Sequence, residues 1–197
     1  VAAGTDIKPK TSAKGEQTRA RLLAAARTLL AQHDAGELTT RNVASLCGLS
    51  RSLTHYYFRD RTDLILAVIE DIRADWILPF EQAVASTGTF EERADRVVAL
   101  LTTPESPDLG RVHSALHWFA LNDERIKDSL EAEYQRWRRC FVDLFQVLAD
   151  ERGDGLDPRP RGEALAAAAD GLAAVQSLGS VVDAETMFRT LVRSLAR

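Results

Sequence analysis

Residues Thr39 to Asp63 read TTRNVASLCGLSRSLTHYYFRDRTD, two short helical runs around a tight turn and then the start of a third. Thr39 is placed to cap a helix over about Thr40–Leu46, its hydroxyl taking one of the amides left unpaired at a helix start. Val43, Ala44 and Leu46 give that helix an apolar side. Cys47-Gly48-Leu49 is the turn, where Gly48 supplies the positive φ of a sharp helix exit. Ser50 then caps a second helix running to about Tyr57. Helix, glycine turn and capped helix is the plan of a helix-turn-helix, whose second helix enters the DNA major groove.

The second helix carries the chemistry that groove demands. Arg51 can fork onto guanine O6 and N7, and Ser52 can donate or accept at several bases. Thr54, His55 and Tyr56 add further hydrogen-bonding side chains, and His55, Tyr56, Arg59 and Arg61 suit phosphate contacts. An ordinary polar surface helix with one buried edge fits the periodicity equally well. A helical wheel pairs Leu53 with Tyr57 as that inward edge, with Thr54 beside it.

Composition bounds the class. The 197 residues are enough for a packed core, and 45% apolar with 27% charged residues is ordinary for a globular chain. No apolar run approaches a membrane span, and the polar start with Asp6, Lys8, Lys10 and Lys14 lacks a signal core, so a cytoplasmic location without membrane contact is expected. Cys47 and Cys140 make neither a disulfide framework nor a metal motif. The net charge of −4 is unevenly spread. Residues 1–70 hold ten basic and seven acidic residues, and the remainder fifteen and twenty-two. A basic head on an acidic body suits a nucleic-acid partner, although chance clustering in a mixed-charge helical chain gives the same balance.

Outside the central stretch the periodicity is helical throughout, with no strand and no repeat. Leu22, Leu23, Ala26, Leu29 and Leu30 make one face of a helix over Lys14–Gln32. Asp60 and Asp63 resemble a capping box opening a helix whose apolar face is Leu64, Ile65, Val68, Ile69, Ile72, Trp76 and Ile77; Pro79 kinks or ends it. Further helices are expected over Phe90–Leu101, Arg111–Leu121, about Asp123–Glu151, Pro160–Leu178 and Ala184–Ala196. The stretches 102–110 and 152–161 are rich in proline and glycine and read as loops.

Several blocks carry a resemblance to a known family. Thr18–Ala26, Leu38–Ala44, Gly48–Arg51 and Tyr57–Leu64, in this order and spacing, resemble the DNA-binding domain of the TetR family of bacterial regulators. Ser50 to Phe58 followed by Arg-Asp-Arg is most similar to the choline-responsive BetI-type branch. Leu156-Asp157-Pro158, Glu163–Leu172 and Tyr134–Arg138 resemble the C-terminal domain of that branch. The family usually has a branched apolar residue where Thr54 stands, and its pattern turns Leu53 toward DNA; both arrangements stay open here.

The resemblance implies an all-α chain of about nine helices: a flexible tail over 1–13, a three-helix helix-turn-helix DNA-binding domain over 14–60, and a helical ligand-binding and dimerisation domain over 61–197. It implies Thr40, Arg41, Ser50, Arg51, Ser52, Leu53, His55, Tyr56 and Arg61 as contacts to operator double-stranded DNA. It also implies a homodimer in which the last two helices pair through Leu165, Ala168, Leu172, Val175, Leu191 and Leu195; the alternative, that these helices simply close the monomer core, is the less favoured. A near-palindromic operator follows from two-fold symmetry.

A small-molecule effector of unknown identity is expected among Trp76, Phe80, His113, His117, Trp118, Tyr134, Trp137, Phe141 and Asp170. Aromatic rings beside polar groups suit a flat apolar molecule or a quaternary ammonium. His113 and His117 also match half of a helical metal site, but no HExxH or comparable motif accompanies them. No cofactor, no metal and no enzyme activity are expected. The alternatives are a helical interaction module without DNA binding and a histidine-based metal-binding protein.

Overall fold

Helix-capping chemistry accounts for the order of elements in the computed structural model, which describes residues 13–103, 107–177, 179 and 181–197. Its α-helices are α1 (Ala13–Gln32), α2 (Thr40–Cys47), α3 (Arg51–Tyr57), α4 (Arg61–Trp76) and α5 (Leu78–Ala85). They continue with α6 (Phe90–Thr102), α7 (Pro107–Ala120), α8 (Glu124–Arg152), α9 (Pro158–Ser177) and α10 (Ala184–Leu195). A 3-10 turn, Ala35–Glu37, joins α1 to α2, and no strand occurs among the described residues. The all-α class is as expected, and the described residues form ten α-helices, in keeping with the expected number of about nine. The expected tail falls outside the described residues except for Ala13, as do Leu178 and part of the expected 102–110 loop.

The central turn forms by the predicted side chains. Thr39 accepts from the Asn42 amide at 3.1 Å, and the Ser50 hydroxyl accepts from the Leu53 amide at 3.2 Å. Gly48 lies at φ 63° and ψ 30°. Its amide donates to the Ser45 carbonyl, while the Leu49 amide reaches the Ala44 carbonyl at 2.9 Å, so the open carbonyls of α2 are paired. From α1, Arg21 donates to the Cys47 carbonyl at 3.1 Å and braces the turn from behind. The inward residue of α3 is Thr54, fully buried, with Leu53 outside. Of the two arrangements left open by the sequence, α3 takes the one with Thr54 inward. Burial of a threonine is tolerable because its hydroxyl donates to the Ser50 carbonyl at 3.4 Å, leaving the methyl to pack.

Proline sets three boundaries. Pro79 has no N–H to offer residue 75, so the helix breaks at Ile77 and resumes as α5, the kink that was one of its two expected outcomes. Pro107 and Pro158 each sit at the first position of a helix, where the missing N–H has no partner to lose, so α7 and α9 begin inside stretches expected as loops.

Two apolar clusters organise the packing. The first joins α1, Leu38, Val43 and Phe58 to α4, the inner face of α7 and the start of α8. The second gathers α5, α6, α8, α9 and α10 around Trp137, Phe141, Phe145 and Phe188. Tyr134 packs against both. Helices α8 and α9 come close at Gly162, where a Cβ would lie 2.4 Å from the Val142 amide nitrogen.

Gly162→Ala therefore has to push two backbones apart. Overpacking of this kind costs about 1–3 kcal/mol, and urea unfolding should show the loss. An unchanged midpoint would contradict the close approach.

Candidate functional site

The outer face of α3 is a solvent-facing row of polar side chains. Arg51, Ser52, Leu53, His55 and Tyr56 are all exposed, Tyr56 to 71%. Arg51 Nε donates to His55 Nε2 at 3.4 Å, one turn apart, and the Ser50 and Ser52 hydroxyls lie 3.0 Å from each other. Arg41 and Ser50 are exposed and Thr40 half-buried, so they flank this row. The helix is held from within by Thr54 and Phe58, both buried. What it presents outward is a cation, two hydroxyl side chains, an imidazole, a phenol and one leucine.

Arg61 does not join that face. Its Nη2 donates to the Ala35 carbonyl at 2.8 Å and its guanidinium lies 4.6 Å over the Phe119 ring. Nε is buried without a hydrogen-bond partner, and burial lowers its pKa. As the first residue of α4, Arg61 is carried against α7, apart from the exposed row of α3. Arg59 is exposed but paired with Asp63 at 2.6 Å. Asp60 caps α4 by accepting from the Asp63 amide, whereas the Asp63 carboxylate accepts from Arg59 and Arg125. These arginines hold the Asp63 carboxyl down at about 2. Next to it, Thr62 donates to Asp123 at 2.8 Å, so the N-terminal cap of α8 also grips α4.

At the other end of α4 a cavity of about 520 Å³ opens between α4, α5, α6, α8, α9 and α10. Trp76, Phe80, Trp137 and Leu172 supply apolar walls, and Asp75, Asp170, Asp183 and Glu185 supply carboxylates. No arginine, lysine or histidine lines it among the described residues. Three of the carboxylates already have partners of their own: Asp75 pairs with Arg27, Glu185 with Arg189, and Asp183 caps α10. Asp170 accepts from the neutral Trp137 indole at 3.0 Å. Partial burial raises its pKa, and that hydrogen bond and the charges of Arg138 and His117 offset only part of the rise.

Four expected effector residues line this cavity: Trp76, Phe80, Trp137 and Asp170. Phe141 is fully buried behind them, edge-on to Trp137 with centroids 4.7 Å apart, and backs the lining instead of joining it. Trp118 is half-exposed on α7, against Phe119, and does not line this cavity. His117 and Tyr134 form an adjacent pair: Tyr134 Oη stands 3.0 Å from His117 Nε2, and His117 Nδ1 stands 2.9 Å from the His113 carbonyl. Donation by Nδ1 to that carbonyl leaves Nε2 to accept from the phenol. His113 packs against the Trp76 ring, its Nε2 buried without a partner. No metal-binding group of three His, Cys, Asp or Glu side chains occurs among the described residues, and no helix there is long and apolar enough to cross a membrane.

The expected pairing surface divides. Leu165 and Leu172 are buried in the monomer's own second cluster, because this face of α9 lies on α8 and the cavity, which is the alternative reading of those two positions. Ala168, Leu191 and Leu195 are half-buried, and Val175 is exposed to 40%. Sequence reasoning missed Asp75, Asp183 and Glu185 as cavity residues. Their signal was faint: each sits at a helix end, and only the convergence of those ends brings them together.

Comparison with known proteins adds an independent line. Residues 22–68 match the model for bacterial regulatory proteins of the tetR family, and residues 90–197 match that for the C-terminal domain of BetI-type transcriptional repressors. The chain is 28% identical over 157 residues to the HTH-type transcriptional repressor LfrR of Mycolicibacterium smegmatis, covering 72% of this chain and 82% of that one. Among solved structures, a transcriptional regulator of Pseudomonas aeruginosa PAO1 superposes with a TM-score of 0.83 at 20% identity, over 92% of this chain and 91% of that one. A regulator of Saccharomonospora viridis, solved in complex with choline, gives 0.69 at 25% identity, over 89% and 94%.

Burial of His113 predicts an acid-sensitive fold. Burial first, and the neighbouring His117 second, lower its pKa from 6.5 to about 3. Between those values the unfolded chain binds a proton that the native one refuses, so this residue's contribution to stability declines as pH falls below 6.5. In a urea series between pH 6 and 5, His113→Leu should flatten the pH slope by up to about 1.4 kcal/mol per unit. An unchanged slope would place the imidazole in contact with solvent.

Proposed function

As a member of the TetR family of transcriptional regulators with a BetI-type C-terminal domain, the chain is one for which we propose operator-bound repression by a homodimer that a cationic small molecule releases. Residues 14–60 serve as the reading head and 61–197 as the sensing and pairing body. Arg51, Ser52 and Leu53 address base edges, with Leu53 suited to a thymine methyl. His55, Tyr56, Thr40, Arg41 and Ser50 hold the helix on the phosphates. The exposed row on α3, kept outward by buried Thr54, is the observation that carries this reading.

The effector class rests on the cavity. Four carboxylates with no lining base among the described residues, beside two tryptophans and two phenylalanines, favour an apolar body bearing positive charge. Asp170 is the natural counter-ion, since its present donor is neutral. The choline in the Saccharomonospora viridis complex is of this chemical class. For pairing, the outer face of α9 offers Ala164, Ala168, Gly171 and Val175 at helical spacing, with Leu191 and Leu195 of α10 beside it. Small side chains there let a second copy approach closely, and the two-fold requires related half-sites.

Selection of bound genomic fragments, followed by titration at two salt concentrations, tests the reading. A specific duplex should emerge whose binding weakens with salt. Arg51→Ala should cost about 1–3 kcal/mol on that duplex and relax its specificity; equal losses on scrambled DNA would remove the base contact. Tryptophan fluorescence tests the cavity. Tetraphenylphosphonium, benzyltrimethylammonium or choline should quench it, and neutral triphenylphosphine oxide should do so more weakly. No response to any of the three cations would overturn the effector class.

A further inference from the structure

Arg27, near the end of α1 in the head, reaches across to α4 with one nitrogen between two carboxylates. Nη1 lies 3.2 Å from Asp71 and 2.7 Å from Asp75. Asp75 is at once Arg27's nearer partner and a wall of the cavity. Asp71, one turn earlier, is not among the lining residues. The Arg27 side chain is about one-third exposed and that of Asp75 more than half exposed, so the contact is open enough to exchange partners.

We propose that Arg27 and a cation in the cavity compete for Asp75, and that this exchange ties ligand occupancy to the position of the reading head. The inference rests on the cationic effector class argued above and adds the residue through which occupancy is transmitted. Without ligand, Arg27 bridges both carboxylates and pins α1 to the last turns of α4. A cation beside Trp76 draws on Asp75, and Arg27 retreats to Asp71, which keeps it paired. The head is thereby loosened from the cavity end of α4 without stranding a charge. α1 carries that change onward, because its Arg21 holds the Cys47 carbonyl in the turn before α3. Asp71 thus sets how much Arg27 gives up and how readily the cavity takes a cation.

The two carboxylates make the test directional. Arg27→Met frees Asp75 and should tighten tetraphenylphosphonium by about two- to fivefold, the range that follows from an exposed ion pair. Asp71→Asn leaves Arg27 with Asp75 alone and should weaken it by a similar factor. Arg27→Lys should restore affinity toward the native value, and triphenylphosphine oxide should respond to none of the three. Affinities come from tryptophan quenching of the full chain without DNA, with thermal melts as the check on folding. A role confined to holding α1 on α4 would move both variants the same way, and that result overturns the proposal. So does unchanged affinity in both. If Arg27→Met does not fold, the direction of the Asp71→Asn shift decides. A native protein that binds none of the cations removes the cavity reading itself, whereas native binding with no opposite shifts removes only the exchange.

Discussion

Leu64, Ile65, Val68, Ile69 and Ile72 line one side of α4, and each is at most 3% exposed. They pack into the cluster that also takes Leu22, Leu23, Val43 and Phe58 from the head and Leu116 and Phe119 from α7. Burying such side chains is worth about 1.5–3 kcal/mol each as an upper bound. The ion pairs along the same helix keep at least one partner partly exposed, and exposed pairs contribute about 0–1 kcal/mol each. Apolar burial therefore holds head and body together, and the polar ties trim how they sit. A ligand that alters a tie does not have to undo the core.

That division is built into the two ends of one helix. At its start, Asp63 and Thr62 meet Arg125 and Asp123 of α8, while Arg61 crosses to Phe119 and the Ala35 carbonyl. At its finish, Asp71 and Asp75 meet Arg27, and Trp76 faces the cavity. The sixteen residues of α4 span about 24 Å. The first set of contacts lies far from the cavity and works as a fixed end; the second set is where a bound molecule has leverage. The wall opposite is the α8–α9 pair, whose backbones meet at Gly162 and have little room to give.

What was legible in the sequence was what local chemistry dictates. Thr39, Gly48, Ser50, Asp60 and Asp123 each do the capping or turning that their residue type announces, because a cap needs only its own next three amides. Choosing between Leu53 and Thr54 was beyond that logic. A seven-residue helix has two plausible inward edges, and the choice depends on whether a hydroxyl finds a carbonyl, as Thr54 does at Ser50. Leu165 and Leu172 left two readings open for a related reason: alanines flank them on both sides of α9, so the sequence does not say which face meets α8. Arg61 reads as a surface cation until the Phe119 ring, nearly sixty residues away, is placed beneath it. The cavity was half legible. Its aromatic rings lie on helix faces and follow the periodicity, while Asp75, Asp183 and Glu185 come from helix ends that only the tertiary fold brings together.

In the proposed reading, the two faces of α9 connect pairing with sensing. Leu165, Ala166, Ala169 and Leu172 are buried against the body's core, Asp170 lines the cavity, and Ala164, Gly171 and Val175 look outward. A helix is about 10–12 Å across with its side chains. In the proposed dimer, the carboxylate facing the ligand would thus lie one helix width from the partner subunit. A rotation of α9 that improves the grip of Asp170 on a cation also turns Gly171, the next residue, within the subunit seam. Small side chains at that seam leave few rotamers to absorb the change, so it passes to backbone positions. An effector site placed here can act on the separation of two reading heads by two routes. One runs up α4 to the head of its own subunit, and the other runs through α9 to the angle between subunits.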